Sequence, residues 1–190
     1  MKRILLGLLL VIAVHAQDYF PARAFSDRED WSSRSASSYS EYLKALEEPS
    51  LFSHKPYQGV ECYRFTWLRS FDGPVALRVD VDKSGVAILT IKVADQLTDK
   101  SPVKIVKDEI KVLTKEQLQQ LRRLFRQEFF KEPSHIKDQG VDGARWIVET
   151  VNSGRYHVVS RWSPKDGAVR QVGDYLLKVA AIGDDLGPIY

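Results

Sequence analysis

From Glu61 onward the chain alternates apolar and polar residues. Tyr63, Phe65 and Trp67 stand against Arg64, Thr66 and Leu68, the period of two that predicts a strand over Glu61 to Arg69. Asp72-Gly73-Pro74 has turn chemistry, and Val75, Leu77, Val79 and Val81 then alternate with Ala76, Arg78, Asp80 and Asp82. After Ser84-Gly85 the run Val86 to Val93 keeps the same character, which predicts a hairpin, and Val103 to Leu113 predicts a fourth strand. The period then changes. Thr114-Lys115-Glu116-Gln117 fits a capping box, and Leu118, Leu121, Phe125 and Phe129 follow at spacings of three and four, so a helix runs from Thr114 until Pro133 closes it. Arg145 to Val151 and Arg155 to Trp162 form a second hairpin across Asn152-Ser153-Gly154, and Val169 to Ile182 reads as a closing helix.

Hairpins join most of these strands, and only one helix lies between strands, which disfavours parallel crossovers. The expected architecture is therefore α+β, a mainly antiparallel sheet of five to six strands with two helices packed on one face, spanning residues 60–182. Residues 183–190 form a tail. Residues 17–59 differ in kind. They are rich in Ser, Arg and Asp, a composition too polar to order itself alone, and read as a lead-in with one short helix from Ser40 to Leu46, capped by Ser40 and closed by Pro49. Tyr19, Phe20, Phe25, Trp31 and Tyr39 are spaced too irregularly for one helix face, but aromatic side chains of this size can pin the segment onto the domain.

The first sixteen residues change the cellular setting. Met1-Lys2-Arg3 precedes an apolar run from Ile4 to Val14, and Val14-His15-Ala16 places small or apolar residues where a signal peptidase reads, so 1–16 is expected to be a secretory signal peptide cleaved after Ala16. The apolar run is shorter than the ~20 residues a membrane span needs, and no second one follows, so the mature chain is expected to have no membrane span and to be secreted or periplasmic. Losing Lys2 and Arg3 reduces the 28 basic residues of the whole chain to 26 against 25 acidic ones. That near-balance gives no nucleic-acid footprint. The one cysteine, Cys62, cannot make an internal disulfide and is expected to be buried on its strand, with a reactive or chain-linking thiol as the alternative.

Chemistry-bearing motifs are sparse. No phosphate loop, paired-cysteine metal signature or nucleophile elbow occurs. The stretch Asp80-Val81-Asp82-Lys83-Ser84-Gly85 spells the first half of a calcium loop, but the position that needs a bidentate glutamate is Ile91 and the flanks are strands, so a hairpin turn is the expected reading. His54, His135 and His157 lack the short spacings of a zinc set, and neither a metal nor a cofactor is expected. Lys104, Lys107, Lys111 and Lys115 with Arg122, Arg123 and Arg126 form the densest basic region; Asp108, Glu109 and Glu116 interrupt it, as in a solvated face.

Asp142, His157 and Ser160 have the residue types of a catalytic triad, yet on a strand His157 and Ser160 point to opposite faces. Alternation puts Arg155, His157 and Val159 on one face, and Trp146 and Trp162 could frame a shallow aromatic and basic patch, with core packing of the two tryptophans as the alternative. Trp146, Arg155, His157, Arg161 and Trp162 are therefore the candidate binding residues, since aromatic and arginine side chains carry interface energy. The expected function is an exported binding protein without catalytic residues, of the class that includes inhibitors, whose partner is a protein or an envelope component. The competing reading is a small secreted hydrolase with Asp142 and His157 as acid and base, which requires the Gly140 to Gly143 loop to fold over His157.

Four motifs carry a resemblance: Phe71 to Val79 as FxxPVAxRV, the Phe129-Phe130 pair ending the capped helix, Gly140 to Trp146 as GVDGARW, and Tyr156 to Pro164 as YHVVxRWSP. From Tyr63 to Ala180 the chain resembles a family of secreted bacterial proteins to which no activity is attached. The resemblance implies a bacterial, exported setting and brings no cofactor or catalytic residue.

Overall fold

The computed structural model describes residues 19–54, 61–95, 104–138, 140–183 and 186–187. The expected leader and most of the tail lie outside them. Six strands form one antiparallel sheet: β1 (Glu61–Arg69), β2 (Val75–Val81), β3 (Ala87–Ala94), β4 (Ile105–Val112), β5 (Ala144–Asn152) and β6 (Arg155–Trp162), in the spatial order β4-β3-β2-β1-β5-β6. Two of the hairpins follow from their turns. Asp82 accepts hydrogen bonds from Ser84 N, Ser84 Oγ and Val86 N at 2.8, 2.7 and 3.0 Å, while Gly85 sits at φ 85°, a conformation that favours glycine. Every residue that suggested calcium chemistry at positions 82–85 is thus used by the turn. Asn152 pairs with Arg155 across Ser153 and Gly154, both at positive φ, as a two-residue hairpin demands.

One face of the sheet holds the main core. Tyr63, Phe65 and Trp67 of β1, Leu77 and Val79 of β2, Leu89 and Ile91 of β3 and Trp146 and Val148 of β5 pack under α3 (Lys115–Leu124), α4 (Gln127–Lys131) and α5 (Gly167–Ala180). Thr114 caps α3 as expected, its hydroxyl accepting from Gln117 N while Gln117 Oε1 accepts from Thr114 N. The helix does not run on to Pro133. Arg126 is extended (ψ −176°) and separates α3 from α4, yet Leu118, Leu121, Phe125 and Phe129 all remain buried. At the centre, α5 approaches β5 so closely that a Cβ on Gly173 would lie 2.3 Å from the Trp146 ring.

The lead-in is the main departure. A helix of 17 residues, α1 (Glu29–Ala45), replaces the short one expected from Ser40, and it covers the opposite face of the sheet, followed by the turn α2 (Leu51–His54). Its inward stripe is Ser32, Ala36, Tyr39 and Leu43, at spacings of four, three and four. Leu43 packs with Tyr19, Phe20 and Ala24 onto Leu68, Ile147 and Val158. Phe20, Phe25 and Tyr39 meet edge to face at 4.8 and 4.9 Å, so the aromatics do pin the segment, with Trp31 left half exposed. Both faces of β1 are consequently buried. Among the described residues no helix is long and apolar enough to cross a membrane.

The cap is a quantitative check on this reading of α3. Thr114→Ala should cost about 1 kcal/mol in a urea titration through loss of the hydroxyl that accepts from Gln117 N, and an unchanged midpoint would contradict the cap's contribution.

Candidate functional site

The expected patch separates when the strands are placed. Trp146 is fully buried, 4.9 Å from Phe65 and 5.9 Å from Trp67 between ring centroids, with Arg170 over its face at 5.0 Å. It is a core residue, not a binding one, because its face of β5 is the one that α5 covers. Trp162 goes elsewhere. Its partner across the strands is Arg145, whose guanidinium lies 5.3 Å over its ring, and its indole nitrogen packs against the backbone of Gly140 and Gly143. Arg161 is tied down, donating to Glu132 Oε2 at 2.8 Å and to the carbonyls of Pro133 and Ser160.

Arg155 and His157 do come together, around a residue outside the expected set. Arg155 stacks 4.5 Å over Phe130, and His157 sits against Phe130 and Phe129 with its Nε2 3.1 Å from the Glu132 carbonyl. Burial holds the imidazole below its ordinary value of 6.5, with the Glu132 and Phe129 backbone working against that shift. Asp142 is exposed in its loop and is not among the groups that contact His157. Ser160 is buried on the other face, its N–H donating to Ser134 O at 2.7 Å.

A second cluster was not foreseen. Arg64 is wholly buried, with Nε 2.7 Å and Nη2 2.6 Å from Glu149 Oε2, Nη1 2.6 Å from Pro49 O and 3.6 Å from Glu48 Oε2. Glu48 also accepts from Arg78 Nε at 2.9 Å, and Arg78 pairs with Asp80. Tyr156 donates to Glu149 Oε1 at 2.9 Å, Tyr19 to Glu48 O at 2.9 Å and Lys92 to Glu47 O at 3.2 Å. Burial opposes the Arg64 charge, but Glu149 and Glu48 beside it hold the guanidinium firmly protonated. Burial likewise pushes the Glu149 carboxyl up, with Arg64 and Tyr156 pulling back. Cys62, buried at 2 % exposure, lies at the margin of this cluster, 3.2 Å from Asp80 Oδ1, and burial pushes its thiol up to about 12. It is an inert small hydrophobe on its strand, as expected, because so little thiolate forms. The whole arrangement fastens residues 47–49 to the sheet.

What the fastened segment builds is a cleft. Residues 25–39 form one wall and residues 135–138, Arg145 and Ser160 the other, around a space of about 590 Å³. Trp31 and Ile136 are each about half exposed there, beside Arg28, Lys137 and Arg145. Arg145 is fixed by Asp138, 2.7 Å from its Oδ1, and Asp138 Oδ2 also accepts from Trp162 N. Asp27 Oδ1 lies 3.3 Å from His135 Nε2, while His135 Nδ1 and Arg145 Nε are buried without a hydrogen-bond partner among the described residues. The chemistry on offer is an aromatic and aliphatic surface bordered by cations, of which Arg145 is held by Asp138 and Arg28 pairs with Asp30 and lies over the Trp31 ring.

Two variants test these assignments. Arg64→Met leaves Glu149 buried and uncompensated, and should cost about 3–5 kcal/mol in urea unfolding, whereas Arg64→Met with Glu149→Leu should recover much of that loss; a double variant no better than the single would contradict the pairing. For His157, the folded state binds its proton more weakly than the unfolded chain. Its contribution to stability is therefore intact above 6.5 and is lost as pH falls through the lowered folded value. The parent should lose stability from about pH 7.5 to about pH 5 more steeply than His157→Gln, and parallel profiles would remove His157 as the cause.

No protein-family model matches the chain, and no curated protein is similar to it in sequence.

Proposed function

We propose that the mature chain is an exported, non-catalytic binding protein that holds a protein partner in the cleft between α1 and residues 135–138. The observation that carries this reading is the pairing of half-exposed Trp31 and Ile136 with Arg28, Lys137 and Arg145 around about 590 Å³ of open space. Apolar side chains of this size left at a concave surface, rimmed by cations, are the pattern of an interface anchor site. The partner group it suits is an aromatic or aliphatic side chain next to a carboxylate, which could stack on Trp31 while its oxygens meet Arg28 and Lys137. The leader pattern of residues 1–16 supports export, and the motifs at Gly140 to Trp146 and Tyr156 to Pro164 support a bacterial envelope setting. The surface shifts from the one expected at Trp146 and Trp162 to the neighbouring cleft, which Arg145 and Ser160 still line.

The test uses residues 17–190 immobilised against envelope and culture-supernatant extracts, with Trp31→Ala as the cleft variant and Phe71→Ala, exposed elsewhere, as the control. A partner retained by the parent and by Phe71→Ala but lost by Trp31→Ala is the expected result, with all three melting alike. A partner retained equally by Trp31→Ala would remove the cleft from the account.

A further inference from the structure

The two edges of the sheet are treated differently. At β6 the outer edge is occupied: Ser160 N donates to Ser134 O at 2.7 Å, Trp162 N donates to Asp138 Oδ2 at 2.6 Å, and His157 rests on the Glu132 carbonyl. Residues 132–138 thus close that edge to further pairing. At β4 no backbone hydrogen bond among the described residues engages the outer side, although the strand runs for eight residues. An open edge of that length templates pairing with another strand unless its side chains forbid it.

The side chains of β4 do not forbid it. On the face away from α5, Val106, Ile110 and Val112 are 58, 69 and 68 % exposed, Asp108 opposite Lys92 interrupts them, and Ile88 of β3, which pairs with Val112, adds to the apolar strip. On the α5 face stand Lys107, Glu109 and Lys111, opposite the core residues Val93, Ile91 and Leu89. Lysines commonly guard an edge, but here Lys107 lies 3.3 Å from Glu109 and Lys111 donates to the Ala180 carbonyl at the end of α5, so both are held over the helix face.

We propose that β4 pairs antiparallel with β4 of a second copy, with Ile110 on the two-fold axis. The strand's charges favour that register over those centred on Asp108, Glu109 or Lys111, and of the registers free of like-charge pairs it is the one that sets Glu109 against Lys111. Antiparallel partners keep side chains on the same face, so residues of like parity must face each other. With Glu109 on the axis, Glu109 would face Glu109 and Lys107 would face Lys111. With Asp108 on the axis, Asp108 would face itself, and with Lys111 on the axis, the two lysines would. With Ile110 on the axis, Glu109 of each copy faces Lys111 of the other, Ile110 faces Ile110, and no like charges are opposed. The partner is therefore a second copy of this chain, joined by an isologous contact that extends six strands to twelve. This surface is separate from the cleft, and its test does not depend on the binding reading.

The experiment is sedimentation velocity of residues 17–190 over a concentration series, with Glu109→Lys, Lys111→Glu, an equimolar mixture of the two, and Ile110→Lys. The parent should dimerise with increasing concentration. Each charge variant opposes like charges at two places and should weaken association about tenfold. The mixture should restore it, because Lys at 109 then meets Glu at 111 and Lys111 meets Glu109. Ile110 is exposed, so Ile110→Lys should fold and stay monomeric, which keeps the test decisive if Lys111→Glu loses its bond to α5 and melts early. A parent that remains monomeric throughout, a dimer indifferent to Ile110→Lys, or a mixture no stronger than its components would each overturn the proposal.

Discussion

The buried guanidinium of Arg64 is the constraint on which the rest of this structure turns. A charge with no exposed surface needs partners brought to it, and here Nε donates to Glu149 of β5 and Nη1 to the carbonyl of Pro49, with Glu149 and Glu48 supplying the opposite charge. Two of those three lie in the segment that follows α1. The sheet cannot satisfy Arg64 alone, and the lead-in brings Glu48 and the Pro49 carbonyl to it as Tyr19, Phe20, Leu43 and Leu46 pack onto the sheet. Each makes the other's placement necessary. Apolar packing of Leu43, Tyr19 and Phe20 on Leu68, Ile147 and Val158 adds affinity, but the polar cluster fixes the register.

From that docking the shape of the cleft follows. Once residues 47–49 are fastened, α1 must lie across β1, β5 and β6, and its first turn brings Trp31 and Arg28 opposite Ile136 and Lys137. The same residues 132–138 that form the second wall also close the β6 edge through Ser134 and Asp138. One segment therefore shapes the cleft and blocks strand addition, while the distant β4 edge keeps its backbone and its apolar strip open. Among the described residues, the cleft with cations at its rim and the open β4 edge thus lie at opposite ends of a single sheet.

The sheet was largely legible in the sequence because alternation and turn chemistry are local. β1 is found over the residues that the pattern predicts, and the Thr114 cap is made by the two side chains that spell it. The covering of the sheet was not legible, and the errors share that cause. Arg64 and Glu149 fall at positions that a half-buried strand would turn to water, and nothing within β1 or β5 says that another segment lies over them. The sequence predicts only the last part of α1 because the first two positions of its inward stripe are Ser32 and Ala36, small residues that add almost nothing to a hydrophobic period. They serve here because the chain approaches closely, with Ser32 Oγ 3.2 Å from Phe25 N. Whether Trp146 belongs to a surface patch or to the core is left open by the sequence for a related reason: a period of two says which residues share a face, never which face is covered. His157 and Ser160, by contrast, lie on opposite faces as alternation requires, since that statement needs only the strand itself.

Native-state hydrogen exchange on residues 17–190 tests the central claim most directly. If the Arg64 cluster makes the lead-in and the sheet one cooperative unit, the amides of α1 from Ala36 to Leu43 should exchange with the same opening free energy as those of β1. Exchange of α1 orders of magnitude faster than β1, with the sheet still protected, would show that the segment is held locally and that the buried charges do not bind the two layers together.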